Sequence, residues 1–134
     1  MIIYEIPGPP IPCKRARLAG KRFYDSQANK KRDIRLLIKT MSESQQPHAS
    51  AIKVVVEYHM PIPKSWSRIR RLNAVGEPHV SKPDLSNLIK FIEDALNEVL
   101  WKDDSIIYEL HCRKFYAEVP CTKLLVEEYK LTEK

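Results

Sequence analysis

The fold is decided chiefly by residues 82–106, KPDLSNLIKFIEDALNEVLWKDDSI. Pro83 restricts the backbone of the residue before it, and Asp84 is a residue type that can cap the free amides of a first helical turn. Apolar residues then recur on one face at helical spacing, at Leu85, Leu88, Ile92, Ala95, Leu96 and Val99. We therefore predict an amphipathic helix of about 15 residues and about 22 Å, followed by a turn at residues 101–104.

Strands are predicted on both sides of this helix. Four runs have the β-branched and aromatic composition of strands, namely residues 1–6, 52–60, 106–116 and 122–129. The last two could pair as a hairpin around Pro120. A second helix is predicted from Ser26 to about Met41, because apolar residues again recur on one side of that segment.

Length and composition exclude several classes of protein. The chain has 134 residues, so residues 1–134 are expected to form a single domain. Its composition, 43% hydrophobic and 30% charged, argues against wholesale disorder. No run approaches the ~20 apolar residues of a membrane span and no signal peptide is evident, so we expect a cytoplasmic protein without a membrane partner. Three glycines leave no glycine-rich phosphate loop, which argues against NTP-driven chemistry.

The cysteines do not form a recognisable pattern. Cys13, Cys112 and Cys121 are odd in number and lack close pairing, so reduced thiols are expected rather than a disulfide framework. No C-x-x-C or H-x-x-x-H pair occurs, and a zinc site is therefore not predicted.

Positive charge is concentrated in the first part of the chain. The net charge is +6, but residues 1–82 hold 16 bases and 6 acids, whereas residues 83–134 hold 7 bases and 11 acids. Such an excess suits a polyanion such as nucleic acid, with affinity that falls as salt rises. The alternative is a basic structural or interaction protein whose lysines and arginines only face solvent.

Two basic segments are the candidate DNA contacts. One follows a proline-rich loop that would hold its bases in place at low entropic cost, and the other surrounds Trp66 in a segment that we interpret as a mobile loop. Together with the lysine before Pro83, the predicted DNA-binding residues are Lys14, Arg15, Arg17, Lys64, Arg68, Arg70, Arg71 and Lys82.

Acidic residues flank the predicted helix. Asp84 begins it, and Asp104 follows its end beside Asp103. Converging carboxylates could bind Mg²⁺, which prefers oxygen ligands, and Lys90 could then stabilise negative charge on a phosphate. The two acids meet only if the following strand runs back along the helix, which the sequence leaves open. Otherwise Asp84 caps a helix, Asp103 and Asp104 form a turn, and Lys90 pairs with Asp94.

Residues 82–90 and 101–106, together with PGPPIP at residues 7–12 and the bases after it, resemble the RusA family of Holliday junction resolvases over nearly the whole chain. The resemblance implies an α/β (α+β) fold, with a small mixed β-sheet flanked by two main helices, that forms a homodimer. It also implies a Mg²⁺-dependent endonuclease, with Mn²⁺ as an alternative metal. Such an enzyme, bacterial or phage-encoded, would place paired nicks in four-way branched DNA during recombination and repair.

Carried over by position, the resemblance makes Asp84, Lys90 and Asp104 the catalytic residues, with Asp84 and Asp104 as metal ligands. Asp103 is the neighbouring acid and a further candidate ligand.

One position departs from the family motif P-D-x-D-N, because Ser86 stands where the second aspartate is expected. A hydroxyl is a weak, neutral ligand, acting directly or through a bound water. Three explanations remain open. Asp103 or Glu93 supplies the missing carboxylate, a water held by Ser86 replaces it, or the chain is a catalytically weak or inactive junction-binding protein.

Overall fold

A computed structural model describes residues 2–14, 17–19, 22–43 and 45–131. In chain order the elements are β1 (Ile3–Pro7), β2 (Arg17–Ala19), β3 (Arg22–Tyr24), α1 (Ala28–Met41), β4 (Ile52–Pro61), α2 (Arg68–Ala74), α3 (Leu85–Leu96), a 3-10 turn (Asp104–Ile106), β5 (Ile107–Ala117) and β6 (Cys121–Glu128). This is an α+β fold with a mixed sheet, as expected. The predicted helices correspond to α1 and α3, and α2 is an additional short helix.

Strand β4 is the centre of the main sheet, whose strand order is β1-β6-β4-β5. Every second residue of β4 is buried, at Ile52, Val54, Val56, Tyr58 and Met60. Successive side chains of a strand point to opposite faces, so these five share the face that packs on the helices. The core between sheet and helices is completed by residues of α1 and α3.

The predicted hairpin of the last two strands is wrong. β5 pairs in parallel with β4, and β6 pairs antiparallel with both β4 and β1. β4 therefore lies between β5 and β6, and both of its backbone edges are hydrogen-bonded. Skipping one strand requires a span of about 10 Å, which the three residues between Ala117 and Cys121 can cover.

Helix α3 carries the most apolar face of the chain, as its periodicity predicts. Leu88, Phe91, Ile92, Ala95 and Leu96 are buried there. The helix ends earlier than expected, because Glu98 adopts a left-handed backbone (φ 69°). Val99, Leu100 and Trp101 lie beyond the helix but are still buried in the core.

We expected residues 68–71 to lie in a loop, but they form part of helix α2. Ser67 caps this helix, since its hydroxyl accepts a hydrogen bond from the Arg70 amide at 3.2 Å. The apolar side chains Ile69 and Leu72 remain exposed, so no buried stripe marks the helix in the sequence. The capping serine was the only local signal.

None of the helices in the described part of the chain combines the length and apolar character needed to cross a membrane.

Candidate active site

The first turn of α3 is held against β5 by a lysine that the sequence did not single out. Lys114 donates hydrogen bonds to the Ser81 carbonyl (2.6 Å) and the Pro83 carbonyl (2.7 Å). These carbonyls belong to the residues three positions and one position before Asp84. The position of Asp84 is therefore set by the C-terminal half of β5 as well as by its own helix.

The sequence suggested that the Asp84 side chain caps α3. Asp84 does occupy the N-cap position, but its side chain makes no capping hydrogen bond. Its carboxylate instead accepts a hydrogen bond from the exposed Lys82 at 2.9 Å. This hydrogen bond, and then the positive charge of Lys82, hold the pKa of the Asp84 carboxyl below its ordinary value. Asp84 is thus an ionised, half-exposed carboxylate beside a cation.

The loop after β1 packs beside the same helical turn. The Cys13 amide donates to the Asn87 carbonyl at 2.9 Å. Buried Gln27 holds both sides of this loop, because its side chain accepts from the Lys14 amide (3.0 Å) and donates to the Pro12 carbonyl (2.8 Å). The predicted DNA contact Lys14 is thereby placed near the start of α3.

A pair of carboxyl groups lies toward the other end of α3. The Glu93 carboxyl interacts electrostatically with Asp104, which lies in the 3-10 turn before β5. Burial, the negative charge of Asp104 and a hydrogen bond between the two carboxyl groups raise the pKa of Glu93. Glu93 also faces β5. The pKa of the Cys112 thiol in that strand is raised first by burial of the thiol and then by the negative charge of Glu93. Two acids therefore share one site between α3 and β5.

Asp103 has the structural role that its turn position allowed. Its carboxylate accepts a hydrogen bond from the Ser105 amide at 3.1 Å and so caps the 3-10 turn. Hydrogen bonds from Ser105 lower the pKa of the Asp103 carboxyl.

Lys90 does not pair with Asp94, contrary to the structural alternative considered above. Asp94 instead contacts Lys31 of α1, a buried lysine that also pairs with Asp25 at 2.6 Å. Burial lowers the pKa of Lys31, but its hydrogen bonds to both carboxylates outweigh this and raise it overall. Lys90 is exposed and has no ion-pair partner in the part of the chain that the structure describes.

Ser86, Lys90 and Glu93 lie along one side of α3, because residues at i, i+4 and i+7 share a helix face. The structure brings Glu93 and Asp104 together, whereas Asp84 contacts Lys82. Within the described ranges, no group of three or more histidine, cysteine, aspartate or glutamate side chains is close enough to hold a metal ion. The candidate donors are therefore two carboxyls in contact and a third at the helix start.

The predicted DNA contacts fall on several surfaces. Lys64, Arg68 and Arg71 line one groove of about 390 Å³ together with apolar residues that include Ile62 and Leu72. The guanidinium of the exposed Arg70 lies 3.7 Å from the centre of the Trp66 ring. Arg15 and the side chain of Arg17 lie outside what the structure describes.

Comparison with known proteins identifies a family. Residues 7–127 match the family described as endodeoxyribonuclease RusA, and the match includes both ends of α3. The uncharacterized protein YqaN of Bacillus subtilis (strain 168) is 33% identical over 81 residues, which cover 58% of this chain and 57% of YqaN. The alignment thus spans little more than half the length of that relative.

Proposed function

Because this chain belongs to the RusA endodeoxyribonuclease family, we propose that it is a metal-dependent endonuclease that resolves four-way DNA junctions by paired nicks during recombination. The observation that carries the proposal is the contact between the Glu93 and Asp104 carboxyls beside α3. Two acids that repel one another in a partly buried site are well placed for a divalent cation. A homodimer would present two such sites to the symmetry-related strands of a junction.

The side chains present fit Mg²⁺. Asp104 and Glu93 would hold the ion between them, whereas Asp84, at the start of α3, is not close enough to share it. Mg²⁺ takes oxygen ligands and keeps several waters, so few carboxylates suffice, and Mn²⁺ accepts the same donors. When bound, the metal supplies an activated water and neutralises charge on the phosphate. Glu93 replaces the acid missing at Ser86 in this proposal.

Lys90 and Lys82 would act on the DNA rather than on the metal. Lys90 is exposed on the same side of α3 as Glu93 and is free to stabilise negative charge on the phosphate. Lys82 keeps Asp84 ionised and stands 86% exposed at the helix start, where a phosphate can reach it. The groove bounded by Lys64, Arg68 and Arg71 would bind the backbone of an adjacent arm.

The competing function is a junction-binding protein without cleavage activity. It is favoured by the neutral side chain at Ser86 and by the lack of a three-residue metal cluster in the described segments. The two candidates differ in whether Glu93 contributes to catalysis.

The deciding experiment is incubation of a labelled four-way junction with the protein, with and without Mg²⁺ or Mn²⁺. We expect symmetric, metal-dependent nicks, which Asp104→Asn and Glu93→Gln abolish while junction binding persists. Glu98→Gln, an exposed acid two residues beyond the end of α3, is the matched control. Binding without nicks for the wild type would favour the non-catalytic alternative, and normal cleavage by Asp104→Asn would contradict the proposed site.

A further inference from the structure

A groove of about 420 Å³ opens beside the start of α3, next to the segment that precedes Asp84. Its wall includes Lys82 and Pro83, the two residues that precede Asp84, and its opposite side includes prolines of the loop after β1. The groove is therefore continuous with the site at the start of α3. Its volume lies within the range of small-ligand pockets.

Aromatic rings form much of the groove. Trp66, Tyr116 and His79 all line it. The ring centres of Trp66 and Tyr116 are 5.4 Å apart, and those of His79 and Tyr116 are 4.9 Å apart. Closely spaced rings between rigid prolines offer a preformed surface for a flat, apolar ligand. An unstacked nucleobase is such a ligand, because every base has a π-face that stacks on aromatic side chains.

The charges around the groove suit a nucleotide. Lys82 lines it and is exposed, and Arg70 adds a second cation over the Trp66 ring. None of the described residues that line it is acidic, although Lys82 also donates a hydrogen bond to the Asp84 carboxylate beside the groove. His79 is buried, and its Nδ1 has no hydrogen-bond partner among the described residues.

We propose that this groove binds one unstacked nucleotide of the DNA, with its base against Trp66 and Tyr116 and its phosphate at Lys82. The inference rests on the proposed function, which identifies the DNA. The link between the two is the segment 81–83, which lines the groove and directly precedes Asp84. It adds a site that reads a nucleotide, in contrast to the basic groove at α2, whose described lining residues include no aromatic side chain.

The test uses DNA that carries 2-aminopurine, whose fluorescence reports stacking of that base. Single-stranded oligonucleotides and four-way junctions with the probe at successive positions around the branch are titrated with protein in EDTA, so that binding is measured without cleavage. We expect a change of fluorescence at one or two positions. Trp66→Ala should remove the change and weaken single-strand binding by about 5- to 150-fold, the factor that one base–aromatic stack is worth.

Two variants control for folding and for the requirement for an aromatic ring. Trp66→Phe keeps an aromatic ring and should retain the fluorescence change. Ile69→Ala removes a side chain that is 73% exposed on α2 and does not line the groove, and it should behave like the wild type. Circular dichroism of each variant verifies the fold.

The outcomes separate this inference from the proposed nuclease function. A probe signal that depends on Trp66 supports the groove even if the protein nicks no junction with any metal, in which case the nuclease proposal fails alone. Junction cleavage without any probe signal, or with a signal unchanged in Trp66→Ala, overturns the groove and indicates that the DNA is held only through its backbone.

Discussion

Replacing Glu93 by glutamine should affect stability and metal binding in opposite directions. In the metal-free protein, Glu93 is partly buried against Asp104, and its raised pKa shows that the charged form is disfavoured there. The amide has the same shape but no charge, so Glu93→Gln removes both the repulsion and the cost of burying a carboxylate. A residue with only a structural role in ion pairing would behave in the opposite way.

The size of the effect follows from Coulomb's law. Two unit charges about 4 Å apart repel by about 1 kcal/mol in water and by about 4 kcal/mol near a protein surface. Because Glu93 and Asp104 are only partly buried, we take the lower end, about 1 kcal/mol. For a chain of this length, this corresponds to a rise in melting temperature of about 3–5 °C. Loss of a direct ligand should weaken Mg²⁺ binding by at least about 100-fold, since even outer-shell partners are worth 10–100-fold.

The assay is thermal denaturation followed by circular dichroism, at neutral pH, in EDTA and in Mg²⁺. Wild-type protein should gain stability from Mg²⁺, because a ligand that binds only the folded state stabilises it. Glu93→Gln should melt higher in EDTA and gain little from Mg²⁺, whereas Glu98→Gln should match the wild type in both. A variant that is less stable in EDTA, or that keeps the full Mg²⁺ effect, would refute the assignment of Glu93 to a metal site.

Three further predictions follow from the same structure. Lys31→Met should lower the free energy of unfolding by about 1–3 kcal/mol, less than for a fully buried pair, because its partner carboxylates are 40% and 57% exposed; an unchanged urea midpoint would contradict this. A hydrogen bond from Lys31 lowers the pKa of the Asp25 carboxyl, and a hydrogen bond from Arg113 lowers that of Glu57. The stability that these two ionised carboxylates contribute is therefore present above the unfolded-state pKa. It is lost as the pH falls below about 4 through the folded-state pKa values. Acid titration of the melting temperature checks this, and Lys31→Met should show a smaller acid loss than wild type. Lys90→Gln should slow nicking by about 100-fold with junction affinity changed less than about tenfold; an equal loss in both would assign Lys90 to binding alone.

Local patterns predicted most of the individual elements. The helices α1 and α3, the strand β4 and the turn at Asp103 all depend on residues a few positions apart, through periodicity, strand alternation and capping. Helix α2 was missed because its apolar residues are exposed and therefore leave no buried stripe. The hairpin prediction was wrong for a different reason. The backbone edges of β5 and β6 can form hydrogen bonds with β4 as well as with each other, and in the structure both strands pair with β4.

The same distinction between local and long-range information applies to the candidate site. The sequence by itself showed the family motif and its departure at Ser86, and it predicted Asp84, Lys90 and Asp104 as site residues. Only the tertiary structure decided that Glu93 interacts with Asp104. It also decided that Asp84 accepts a hydrogen bond from Lys82 rather than from the helix amides, and that Asp94 forms an ion pair with Lys31. The physical reason is range: capping and helix periodicity act between chain neighbours, whereas the meeting of two carboxyls depends on how α3 and β5 pack across a shared core.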